Sequence, residues 1–259
     1  MDNILTQFAK LFPAIDAALA GGIIVFARMM GFVLLAPIFS RKEIPSLVKI
    51  GLVFVLTITL TGVLKPSAPP VDYSIFLSIV LNIAVGAMIG YMARLILLAI
   101  DAGADMINMQ MGLSSAMVMD PSSQGQISLL EKLFATFGIL IFINLGGIYW
   151  LFNAFMRSFE IFPIYATSIP LAKIVNMDYL IQMTSNVLYM GLQIASPILL
   201  ATLGQDIILG VISKTAPQVN VFQLSFLFKP VFGAAIMVWI LPMLVNVISE
   251  YFLSFAHIL

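Results

Sequence analysis

Cysteine is absent from this 259-residue chain, and histidine occurs once, at His257. Without thiols there is no disulfide, no thiolate metal site and no cysteine nucleophile. With one imidazole there is neither a Ser-His-Asp triad nor an HExxH zinc helix. Charge is almost as scarce: 12 Lys+Arg and 12 Asp+Glu make 9% of the residues, where a soluble domain carries about 25%. The net charge is zero and no basic block occurs, so the electrostatic footprint of a nucleic-acid partner is missing. Neither GxxxxGK[ST] nor GxGxxG is found, so the usual phosphate cradles are missing too. Together these absences exclude a soluble globular enzyme. They imply no catalytic residue, no metal and no cofactor.

What is there is apolar, at 61% of residues. A bilayer core asks for about 20 apolar residues per helix. Uncharged runs meet this at Tyr73–Ala93, Leu133–Met156, Tyr179–Gln205 and Pro230–Ser249, and at Ile50–Leu64 if Pro45–Lys49 opens the helix. A sixth run, Ala14–Phe39, carries Arg28 near its middle. That charge costs about 3 kcal/mol on insertion, and the apolar residues around it return roughly 4–7 kcal/mol. The helix inserts, with Arg28 facing protein or water and in need of a specific partner. The expected fold class is therefore all-α and membrane-associated. Arg41, Lys42 and Lys49 form the most basic cluster, which places that end of the helix pair in the cytoplasm.

Prolines modify the picture. Pro37, Pro197 and Pro242 lie in or beside apolar runs, where proline removes a backbone donor and bends the helix. Tyr179–Gln205 would be about 40 Å long if straight, and Pro197 is expected to break it. Thr215–Phe228 is too short for a span and reads as a re-entrant or buried connection. Gly86 and Gly90 make a GxxxG that lets two helices approach closely, here within the chain.

The most unusual stretch is Asp101–Gln126, with Met106, Met109, Met111, Met117 and Met119, three acids and no base. It ends in the turn-forming Asp120-Pro121-Ser122-Ser123. Its beginning is expected to stay helical through about Met109, with Gly112, Ser114 and Ser115 weakening the helix after that. Unbranched thioethers adapt to surfaces of varied shape. Around a pore they could close against ions and yield to a passing chain, and filling of irregular helix packing is the competing use. Arg94, Asp101 and Asp105 share one helix face. They read as a buried structural pair or an inter-subunit contact; alternatively they form an ion site in a polytopic secondary transporter. Asp206 is expected to pair with Lys214.

Several blocks carry a resemblance along nearly the whole chain. They are Arg28 with Gly31-Phe32, Ala36-Pro37-Ile38-Phe39-Ser40, Gln110-Met111-Gly112-Leu113-Ser114 followed by Asp120-Pro121, Ser158-Phe159, and Ala216-Pro217-Gln218-Val219-Asn220-Val221-Phe222 with Lys229. In this order and spacing the chain resembles the FliR/SpaR family, export-gate components of bacterial type III secretion, and its flagellar branch above all. The resemblance implies long, kinked helical hairpins: an FliP-like part over 1–178, with a plug loop near 106–125, fused to an FliQ-like hairpin over 179–259. It implies a non-enzymatic gate subunit in the bacterial inner membrane, at the flagellar basal body. The implied partners are FliP and FliQ subunits, FlhB, membrane lipid and unfolded export substrates in transit. The implied plug residues are Met109, Gln110, Met111, Gly112, Leu113, Ser114, Met117, Met119, Asp120 and Pro121. Arg28, Arg94, Asp101, Asp105, Asp206 and Lys229 would be buried charges or assembly contacts.

Overall fold

The computed structural model describes residues 13–41, 44–66, 69–70, 74–113, 129–166 and 177–256, and all regular structure among them is α-helical. The helices are α1 (Pro13–Leu35), α2 (Ser46–Leu64), α3 (Ile75–Gln110), α4 (Leu129–Asn144), α5 (Gly147–Ile161), α6 (Met177–Thr215) and α7 (Val221–Ala256). Among the described residues four are long and apolar enough to cross a membrane: α2, α3, α6 and α7. A fifth span is possible by length if α4 and α5 count as one, bent by 68°. The bend falls at Gly146, whose φ of +82° is left-handed backbone that glycine adopts without a Cβ penalty. Its N–H still donates to the Ile143 carbonyl at 3.0 Å.

Two expectations about the long C-terminal hairpin are corrected. Pro197 does not break the helix, and α6 runs unbroken through it for 39 residues. Pro197 lacks the N–H that would bond to the Gln193 carbonyl. The Ser196 hydroxyl donates to that carbonyl instead, at 3.0 Å, so the acceptor is not orphaned in an apolar setting. Thr215–Phe228 is likewise not a re-entrant piece. α6 ends at Thr215, residues 216–220 form a tight link, and α7 begins at Val221. Asn220 Oδ1 accepts the Gln223 N–H at 3.2 Å, a helix N-cap that satisfies one of the free first-turn donors. α7 then passes through both Pro230 and Pro242.

The chain forms two compact units. One comprises Met1–Arg94 with Tyr149–Met177, the other Leu95–Ile148 with Asp178–Ile258. In the first, α1 and α3 touch backbone to backbone. A Cβ at Gly86 would collide with the Arg28 carbonyl oxygen. One at Gly90 would lie 2.7 Å from the Phe32 carbonyl oxygen, and one at Gly31 would strike the Ile83 carbonyl. The GxxxG is thus an intramolecular crossing, as its spacing predicts. Phe32 then stacks among Phe39, Phe152 and Phe155, with the Phe32–Phe155 centroids 5.1 Å apart. α2 buries only Val53 and Thr57. Its threonine hydroxyls are turned back onto the helix: Thr57 donates to Val53, Thr59 to Leu56 and Thr61 to Thr57, at 2.7–2.8 Å.

In the second unit the later turns of α3 meet α6 at Gly103 and Gly191, where a Cβ on Gly103 would lie 2.9 Å from the Gly191 carbonyl oxygen. α4 meets α7 through Phe142 and Phe252, 5.5 Å between centroids.

The glycine crossing has a measurable consequence. In thermal unfolding of detergent-purified protein, Gly86→Ala is expected to lower stability by about 1–3 kcal/mol. Gly51 has open space around it, so Gly51→Ala is expected to raise stability by up to about 1 kcal/mol. Equal effects would show that α1 and α3 do not meet at their glycines.

Candidate functional site

Arg28 is completely buried, and its partners lie within the chain. Its Nε and Nη2 donate to Asn82 Oδ1 at 2.8 and 2.6 Å. Nη1 donates to Ser158 Oγ at 3.1 Å, and Nη2 also to the Phe162 carbonyl at 2.7 Å. The guanidinium carbon sits 4.0 Å from the Phe159 ring centroid and 5.5 Å from that of Phe162. None of these partners is a carboxylate. The charge is solvated by a planar fork of acceptors and by ring faces, without being neutralised. Asn82 is itself held, its Nδ2 donating to the Ser78 carbonyl at 2.8 Å and to that of Ile164 at 3.3 Å. That fixes the amide with its oxygen toward Arg28. Ser158 donates its own proton to the Phe155 carbonyl at 2.6 Å, which leaves its oxygen free to accept. The cluster joins α1, α3 and the end of α5. Its contacts tie these elements of the first unit together.

The other charges behave differently. On α3, Arg94 and Asp105 are exposed and Asp101 is half-buried. Seven residues separate Arg94 from Asp101, about 10.5 Å along a helix. Asp206 pairs with Lys229 at 2.7 Å, joining α6 to α7. The expected partner, Lys214, is exposed. It follows Asp206 on the same helix, whereas Lys229 comes alongside through the hairpin. At this exposure the pair contributes at most about 1 kcal/mol and serves better as a register mark.

The methionine-rich stretch begins inside α3 and leaves it abruptly. The Leu113 N–H donates to the Asn108 carbonyl at 3.2 Å, and the Gly112 N–H to that of Met109 at 3.1 Å. With Gly112 at φ +73°, this is a Schellman cap, which satisfies the last carbonyls and turns the chain away. The two methionines beside the cap have opposite fates. Met109 is 72% exposed and Met111 is 1% exposed. Gln110 and Leu113 are half-buried. Ser114, Met117, Met119, Asp120 and Pro121 lie outside the described residues. Asn82 and the Phe162 carbonyl were not foreseen as Arg28's ligands. The only signal for Asn82 is an amide standing alone in an otherwise apolar run.

A helical protein with four span-length apolar helices among its described residues and a buried arginine hub is a membrane component. Residues 19–255 match the family "Bacterial export proteins, family 1", and the chain belongs to that family. Among curated relatives it is 26% identical over 244 residues to flagellar biosynthetic protein FliR of Escherichia coli (strain K12), covering 90% of each chain. It is 25% identical over 227 residues to that of Bacillus subtilis (strain 168), covering 87% of this chain and 85% of the relative. For the Aquifex aeolicus (strain VF5) protein of the same name the identity is 25% over 232 residues, 89% and 88% covered. The chain is a non-enzymatic component of the flagellar export apparatus, located in the inner membrane at the basal body.

The arginine hub predicts a graded series. Asn82→Ala leaves a buried cation short of its main acceptor and is expected to lose about 3–5 kcal/mol of stability. Ser158→Ala is expected to lose only about 1 kcal/mol. Arg28→Lys falls between, since one ammonium cannot span Asn82, Ser158 and Phe162 together. Thermal unfolding in detergent and steady-state protein level in membranes read the series. The reverse ranking would overturn the role given to Asn82.

Proposed function

We propose that this chain forms part of the wall of a protein-conducting pore in the export gate, and that the segment after Gln110 supplies its plug. The observation that carries the reading is the end of α3. A helix capped at Gly112 presents an exposed methionine, Met109, and turns directly into a methionine- and turn-rich segment. Flexible thioethers suit a constriction that must close on ions and still pass unfolded chains of any sequence. The plug set is Met109, Gln110, Met111, Gly112, Leu113, Ser114, Met117, Met119, Asp120 and Pro121.

The outer surfaces suit a chain enclosed by lipid or by other subunits. Phe54, Val55 and Ile58 on α2, Leu200, Leu203 and Ile207 on α6, and Val231, Val238 and Trp239 on α7 are all exposed. Apolar patches of this extent mark contact with lipid or with other chains. The partners proposed are FliP and FliQ subunits in the pore wall and FlhB at its cytoplasmic side, with residues 1–178 as the FliP-like part and 179–259 as the FliQ-like hairpin. Arg94, Asp101 and Asp105 are then assembly contacts. Unfolded flagellar substrates pass through, and the driving energy comes from other subunits.

Deletion of 114–123 tests the plug. The expected result is a normally assembled gate with raised ion leak across the inner membrane and continued export. Unchanged leak in a normally assembled gate would sink the plug reading. Isolation of the intact chain as a well-behaved monomer that accumulates a solute in liposomes would replace the gate with a secondary transporter.

A further inference from the structure

α7 is exposed at Val231, Phe232, Ala234 and Ala235, yet Gly233 among them is buried. What covers it is Met111. A Cβ placed on Gly233 would lie 2.8 Å from both Met111 Cγ and Cε and 3.0 Å from Sδ. The thioether therefore lies directly in the space that any side chain at 233 would fill. Its burial at 1% exposure contrasts with Met109 two residues earlier. Met111 is also the last residue before the left-handed turn at Gly112, and its N–H still donates to the Ile107 carbonyl at 2.9 Å. A knob at the very end of α3 thus sits in a socket made by a missing side chain on α7.

We propose that Gly233 is a positioning residue for the gate: it seats Met111, and this seat fixes where the plug segment departs from α3. The inference rests on the plug reading and deepens it. It divides the two methionines beside the cap into an anchor, Met111, and an exposed one, Met109. A thioether is well suited to such a seat, because dispersion contacts hold it without hydrogen bonds and it can leave and return by rotamer changes alone.

The test uses the complete chain in the assembled apparatus, in four variants: Gly233→Val, Met111→Ala, the two combined, and Gly204→Ala as a control in open space. Ion leak is expressed per assembled complex, so loss of assembly alone does not move it. Gly233→Val and Met111→Ala are each expected to raise leak about tenfold, the scale on which one misfitted core contact shifts a two-state balance. The combined variant returns valine volume to the emptied seat and is expected to fall back toward the parent, as Gly204→Ala stays with it. Leak that is unchanged in Gly233→Val, while deletion of 114–123 leaks, overturns the seat and leaves the plug standing. Absence of leak in the deletion as well overturns both. If Gly233→Val fails to assemble, a Met111→Cys/Gly233→Cys pair decides, free of background because the chain has no cysteine. Oxidation is expected to halt export without raising leak, and reductant to restore export; cross-linked protein that exports normally overturns the seat.

Discussion

A guanidinium within an apolar helix must be solvated by something, and the protein supplies three acceptors from two separate stretches of chain. Asn82 comes from α3, Ser158 from α5, and the Phe162 carbonyl from the residue after α5. Water would provide these acceptors anywhere in a soluble fold. Here the protein must, so the position of each donor of lone pairs becomes part of the architecture. The glycines of the α1–α3 crossing follow from the same requirement. They bring the two backbones together just where Arg28 needs to reach the amide of Asn82. Glycine space and arginine reach are therefore one constraint seen from its steric and electrostatic sides.

Outside that hub the chemistry is inverted. α2 hides its threonine hydroxyls on its own carbonyls and presents hydrocarbon. α6 uses Ser196 to mend the carbonyl that Pro197 leaves free. Both devices remove polar groups from a surface with no water to satisfy them, which is what a lipid or subunit environment demands. The Asp206–Lys229 pair is the exception on this hairpin, and it marks register more than it adds stability.

The helical class, four span-length helices and the GxxxG crossing were legible in the sequence, because length and small-residue spacing determine them directly; the run Leu133–Met156 reads as one segment, and the left-handed Gly146 divides it into two helices bent by 68°. The need of Arg28 for a partner was legible too. Its identity was not, since a carbonyl oxygen carries no sequence signature and a single asparagine in an apolar run gives little notice. The hairpin was misread at Pro197 because proline's local effect was weighed without the serine beside it. Asp206 was assigned to Lys214 along the chain when the turn at Asn220 brings Lys229 alongside. In the methionine-rich stretch composition marks residue types and no more. It could not separate Met109 from Met111, because only the Schellman turn and a glycine more than a hundred residues away decide which one is buried.

The spacing of the arginine's ligands also sets a clock. Asn82 lies 54 residues after Arg28, Ser158 lies 130 after it and Phe162 lies 134 after it. At roughly 5–20 residues per second of synthesis, the charge waits about 3–11 seconds for its first ligand and about 7–27 seconds for its last. During that interval α1 carries its charge without a protein ligand, at a cost of about 3 kcal/mol that its apolar residues outweigh. A side chain made early is thus satisfied late.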